Sequence, residues 1–132
     1  MIMTQRIVIA IAFLTGLGMI FLGARFLLAP EMGEAGYGIH FNEQGDHSFH
    51  YIKGIRDIFS GLVICLLVLT KQTKALGIVL MVGTIIPIAD MLIVLSKQYN
   101  SVAQAVPHIS AIIICAVTGI ILLTHRTSNK GI

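Results

Sequence analysis

Apolar residues in this chain do not alternate with polar ones, nor recur at amphipathic spacing; they run continuously. Four such runs, 7–29, 51–70, 75–95 and 105–124, are set apart by short polar segments. Each is near the ~20 residues that a helix needs to cross a hydrocarbon core about 30 Å thick. Helix is expected rather than strand, because a backbone embedded in lipid must satisfy its own hydrogen bonds, and a continuous run has no period of two. The pattern predicts an all-α integral membrane four-helix bundle, organised as a single domain over 1–132.

The joints support the same division. Pro30 ends the first helix, and residues 31–50 form the longest connection, with Gly33, Gly36, Gly38 and Gly45 among polar residues; a surface loop or lid is expected there. Only Lys71, Gln72, Thr73 and Lys74 separate the second and third runs, which predicts antiparallel neighbours. Residues 96–104 join the third run to the fourth. Tyr99 suits the headgroup region, and Pro107 falls where a first helical turn accepts proline.

Composition sharpens this picture. Of 132 residues, 56% are hydrophobic and 11% charged, with a mean hydropathy of +0.91, whereas a soluble domain carries roughly a quarter charged residues. The net charge of +3 comes from thinly spread basic residues with no stripe or aromatic-interleaved patch, which argues against nucleic acid. Cys65 and Cys115 lie inside apolar runs, as small hydrophobes rather than a disulfide framework. The first run is far longer than a signal-peptide core of roughly 7–15 residues, so it is expected to stay as a span.

Four spans put both termini on the side of the 71–74 connection. That side carries Arg6, Lys71, Lys74, Arg126 and Lys130 with no acid, and the positive-inside rule makes it cytoplasmic, in a multi-pass protein of the cell membrane. Threading the runs in alternating directions brings every charge within them towards the opposite face. Arg25 lies about 6–8 Å, and Asp90 about 9 Å, before the outer ends of the first and third helices at a rise near 1.5 Å per residue. Lys53, Arg56 and Asp57 occupy the first turns of the second, and His108 opens the fourth. Lys53, Asp57 and Ser60 share a helical face by their i, i+4, i+7 spacing, with Arg56 off that line. An intramembrane charge costs at least about 2.5–3.5 kcal/mol at a helix centre. Mutual pairing is therefore expected, with Asp57 and Asp90 accepting from Arg25, Arg56 or Lys53 and His108 close by.

Pro87 has no N–H for the carbonyl of Gly83, and Gly83, Pro87 and Asp90 share one face, which predicts an irregular polar stripe on the third helix. His40, His47 and His50, with Glu43 and Asp46 near, have no clear metal framework, so solvated loop residues are expected and no metal is assigned. Ala111, Cys115 and Gly119, like Ala12 and Gly16, are small residues at intervals of four. They predict close internal packing, with a homo-oligomer seam as the other reading. No Ser/His/Asp constellation, phosphate loop or haem motif occurs.

Several segments together resemble a known family: Arg25-Phe26-Leu27-Leu28-Ala29-Pro30, Gly36-Tyr37-Gly38-Ile39, Lys53-Gly54-Ile55-Arg56-Asp57 and Ile86-Pro87-Ile88-Ala89-Asp90, followed by His108. The chain resembles, over nearly its whole length, the small membrane proteins catalogued as domain of unknown function 4267, and more remotely the DoxX-like four-helix proteins. The resemblance implies a four-helix integral membrane fold and supplies no reaction or cofactor. It places the family's characteristic polar residues at Arg25, Lys53, Arg56, Asp57, Asp90 and His108.

Three functions fit these residues. The first is an outer-leaflet pocket in which Arg25, Lys53 and Arg56 neutralise the anionic or polar head of a membrane lipid or hydrophobic small molecule, while Asp57, Asp90 and His108 orient it or move protons. An aspartate and histidine acid/base pair is the form any catalysis would take. The second is a non-catalytic assembly partner whose charges only lock the bundle. The third is an oligomeric transporter, since intramembrane acids sometimes mark proton or ion routes.

Overall fold

The computed structural model describes residues 2–40 and 45–125; Glu43, Arg126 and Lys130 lie outside the described residues. These form helices only: α1 (Met3–Leu28), α2 (Pro30–Tyr37), α3 (Ser48–Leu69), α4 (Thr73–Gly83), α5 (Ile85–Leu95) and α6 (Val102–Thr124). Thr84, between α4 and α5, keeps helical angles (φ −59°, ψ −23°), so the two make one rod, Thr73–Leu95. With that rod counted once, the described residues contain five helices rather than the expected four.

The additional helix is α2, inside the segment expected to be a loop or lid. Its local cause is orthodox. Ala29 precedes a proline and is driven out of the helical region (φ −143°, ψ 68°), because the pyrrolidine ring crowds the residue before it. Pro30 then opens a new helix, Glu31 sits in its first turn, and Gly38 closes it in the left-handed conformation at φ 90°.

Among the described residues, three helices, Met3–Leu28, Thr73–Leu95 and Val102–Thr124, are long and apolar enough to cross a membrane. Helix α3, at 22 residues, is nearly as long but carries Lys53, Arg56 and Asp57 in its N-terminal half. Large apolar side chains such as Leu14, Phe21, Phe59, Leu66, Val82 and Ile113 stand exposed around the assembly. Such a surface is costly in water and suits an acyl-chain environment.

The closest packing joins α1 to α3. A Cβ added at Gly61 would lie 2.4 Å from the Gly16 carbonyl oxygen, and one added at Gly23 would lie 2.5 Å from that of Gly54. The two rungs pair an ascending residue with a descending one, so the helices run antiparallel with backbone touching backbone, an approach that only glycine permits. The rod packs likewise on α6, with Gly119 against Met81 and Gly77 against Leu122 and Leu123. Thus α1 and α3 are the intimate pair; α3 and α4, expected to be antiparallel neighbours from their short link, touch more lightly. That link turns through Lys71 at φ 58°. The N–H of Gln72 reaches Leu67 (2.9 Å) and that of Lys71 reaches Val68 (3.0 Å), the pattern of a Schellman cap with lysine where glycine is usual.

Between the pairs, Val8, Ala12, Ile64, Leu76, Leu80 and Leu122 form the main core, with Cys115 packed against it. The small residues Ala12, Gly16, Cys115 and Gly119 therefore serve internal packing. Pro107 lies in the second turn of α6 rather than the first, because Ser101 and Gln104 start the helix early: the Gln104 side chain accepts from the Ser101 N–H at 2.8 Å.

Gly61→Val forces α1 and α3 apart, and overpacking of this kind costs about 1–3 kcal/mol. A thermal melt of the detergent-solubilised chain should fall accordingly, whereas Gly18→Ala, with nothing within 4 Å of the added carbon, should leave the midpoint unchanged or raise it.

Candidate functional site

Helix α2 lies at the bundle end formed by the C-termini of α1 and α5 and the N-termini of α3 and α6, and side chains from the following corner hold it there. Asn100 Nδ2 donates to the carbonyls of Gly38 (2.6 Å) and Val94 (3.0 Å), tying the end of α2 to the end of α5. Just beyond, Ile39 packs with Val94 and Ala105 in a second small core. The His40 ring stacks on Tyr99 at 4.4 Å and 9°, so Tyr99, expected in the headgroup region, braces this corner.

So held, Tyr37 becomes the centre of a polar cluster. Its phenol donates to the Asp90 carboxylate, and Asp90 Oδ2 lies 4.0 Å from Nδ1 of His108. The other ring nitrogen, Nε2 of His108, is 2.9 Å from the Tyr37 carbonyl oxygen. A carbonyl only accepts, so Nε2 carries a proton, and Nδ1 turns towards Asp90 a lone pair when the ring is neutral and an N–H when it is charged. Burial, then the hydrogen bond to Asp90 and the negative charges of Asp90 and Asp57, hold the Tyr37 proton well above the ordinary phenol range.

On the other side of Tyr37, the Lys53 ammonium donates to both carboxylate oxygens of Asp57 (2.9 and 3.2 Å). It also sits over two aromatic faces, 5.1 Å from the Phe26 centroid and 4.7 Å from that of Tyr37, within cation–π range. The two rings meet edge to face at 6.3 Å. Beside them, His50, whose side chain is wholly buried, meets the Glu34 carboxylate at 2.6 Å.

The structure thus brings four of the six sequence-chosen residues, Lys53, Asp57, Asp90 and His108, around a tyrosine. The other two turn elsewhere. Arg25 donates to the Met32 carbonyl at 3.2 Å and lies 5.9 Å from the centroid of Phe21; Arg56, off the inward face of α3, is exposed. Neither aspartate takes an arginine, because Lys53, one turn before Asp57, and Tyr37 reach them first. Tyr37, Phe26, Glu34 and His50 were not anticipated; the proline start and glycine stop of α2 were the available signal, since only a helix there places Tyr37 and Glu34. Of the loop histidines, His40 stacks on Tyr99 and His47 lies edge-on to His50 at 5.1 Å. No group of three or more His, Cys, Asp or Glu residues suited to a metal ion occurs among the described residues.

A family model described as Domain of unknown function (DUF4267) matches residues 16–122, which spans every residue of this cluster. No curated protein and no solved structure matches the chain.

Because the folded state raises the Tyr37 pKa, the stability it contributes is complete below the ordinary phenol pKa of about 10 and is lost as pH rises beyond it. Tyr37→Phe should lower stability by about 1–3 kcal/mol at neutral pH, having stripped a donor from a part-buried carboxylate. In an alkaline titration followed by phenolate absorbance, the same variant should lack the component that ionises only as the chain unfolds.

Proposed function

Because the chain belongs to the DUF4267 family, whose description names no activity, we propose its function from the geometry of the polar cluster. The protein is a multi-pass protein of the cell membrane, with α1, α3, the α4–α5 rod and α6 as four spans and both termini in the cytoplasm. The cluster lies towards the external leaflet and binds the polar head of a lipid-like or hydrophobic small molecule, with α2 as its cover. The apolar flanks of the helices accept the tail. The resemblance to DoxX-like four-helix proteins belongs to the same reading.

One observation carries this proposal. Polar side chains from α2, α3, α5 and α6 converge at one end of an otherwise apolar bundle, behind a short helix rather than between long ones. Well-packed apolar side chains could join those elements at no greater energetic cost, since buried ion pairs contribute little net stability. Ionisable groups retained at membrane depth are functional candidates for that reason. Confinement of the cluster to one end supports a binding site over a conducting route.

A second reading has its own support: Lys53 with Asp57, Glu34 with His50 and Tyr37 with Asp90 satisfy one another, as fasteners of an assembly partner would. Asp90→Asn separates the two. The amide keeps an oxygen to accept from Tyr37, so binding function predicts a nearly unchanged melt and a roughly tenfold loss of co-purifying amphiphile by native mass spectrometry. A marked fall in stability with the amphiphile retained would instead favour the fastener role.

A further inference from the structure

The charges that face the cluster have a sign. Among the described residues, three carboxylates point into it, those of Asp57, Asp90 and Glu34, together with the imidazoles of His50 and His108 and a single aliphatic cation, Lys53. Arg25 is engaged with the Met32 carbonyl and the Phe21 ring, and Arg56 is exposed. An anionic head entering here would meet three carboxylates and would have to part Lys53 from Asp57. A cationic head would meet what Lys53 already meets.

The surroundings of the Lys53 ammonium are those of an alkylammonium receptor: the face of Phe26 at 5.1 Å, the face of Tyr37 at 4.7 Å and the Asp57 carboxylate at 2.9 Å. Two aromatic faces and a carboxylate, partly removed from water, make a recognised seat for amines and quaternary ammonium groups, because each ring offers its negative quadrupole and the carboxylate its charge. The two walls come from different helices, Phe26 from α1 and Tyr37 from α2. Lys53 itself arrives from α3 on a four-carbon stem with its side chain 21% exposed, so its ammonium can swing to the headgroup layer as lysines at helix ends do.

We propose that the head recognised by this site is a cation, an alkylammonium on an apolar tail, and that Lys53 is an internal ligand occupying its seat until the external one displaces it. The inference rests on the binding function proposed above and gives it a charge. Both a phospholipid with a choline or ethanolamine head and a free hydrophobic amine have this chemistry.

The test uses the full chain in a neutral detergent, with four probes of matched tail: dodecyltrimethylammonium, dodecylamine, dodecanol and dodecanoate. Lys53→Ala leaves the seat vacant and Asp57 without its lysine, so its melting midpoint should fall and be restored by the two ammonium probes but not by dodecanol or dodecanoate. Those probes should bind this variant about tenfold tighter than the unmodified chain, since the internal competitor is gone. If Lys53→Ala fails to fold, Tyr37→Leu serves instead: it removes one wall, and the preference of the unmodified chain for dodecyltrimethylammonium over dodecanol should disappear. Nanodiscs of phosphatidylcholine and of phosphatidylglycerol distinguish the sources. Stabilisation of Lys53→Ala by the first alone supports a lipid head, and equal behaviour in both, with rescue by free dodecylamine, supports a free amine. Equal rescue by dodecanol would mean mere filling of space and would overturn the proposal. Preferential binding of dodecanoate would overturn the cation and leave Asp90-dependent binding standing, while the absence of binding in every arm, Asp90→Asn included, would remove both.

Discussion

Everything at the α2 end of the bundle depends on how closely α1 and α3 approach. At Gly16 with Gly61, and at Gly23 with Gly54, one backbone rests on the other, which fixes both the separation and the register of the two helices. Phe26 lies one turn beyond Gly23, and Lys53 immediately precedes Gly54, so the upper rung sets an aromatic ring beside an ammonium. A slide by one residue would lose that juxtaposition along with the packing. Without a hydrophobic drive between helices in lipid, close van der Waals contact of this kind is what holds them.

Helix α2 completes what the seam begins. It is held by Asn100 at its C-cap, by the His108 ring donating to the Tyr37 carbonyl and by the packing of the Tyr37 ring, so a short element with little other apolar bulk is fixed largely by directional bonds. Those bonds are part-buried within the protein, where satisfied hydrogen bonds strengthen and unsatisfied ones are costly. The same partial burial explains why aspartates recruit the nearest donors: Asp57 takes Lys53 from its own helix, and Asp90 takes a neutral phenol rather than a second charge.

Much of the fold was legible because hydropathy along a span is a local property. The four apolar runs match the long helices, overrunning α1 and α3 by one residue at their C-termini, although Met3, Ser48 and Val102 each start their helix earlier than the apolar run does, since hydrogen bonding continues through polar residues. The helix in 31–50 went unread because its glycines outweighed its proline start. In the cluster, Lys53, Asp57, Asp90 and His108 were identifiable as charges at a common depth, a matter of counting along helices. Tyr37 and Phe26 were not, because an aromatic residue near a membrane surface has many uses and only tertiary packing chooses among them. Arg56 was already off the inward line of α3 by its spacing, whereas the turn of Arg25 towards the Met32 carbonyl depends on α2, which depth alone does not reveal.

The corner at Lys71 bears on how such a chain would be made. Under the proposed topology α3, with three formal charges, is a poor candidate to partition into lipid unaided as it leaves the ribosome. Its link to an apolar rod is a cap of so few residues that neither segment can cross without drawing the other after it. The two would therefore enter the bilayer as a helical hairpin, and α1, already inserted, would wait at the translocon exit for the partner whose glycines match its own.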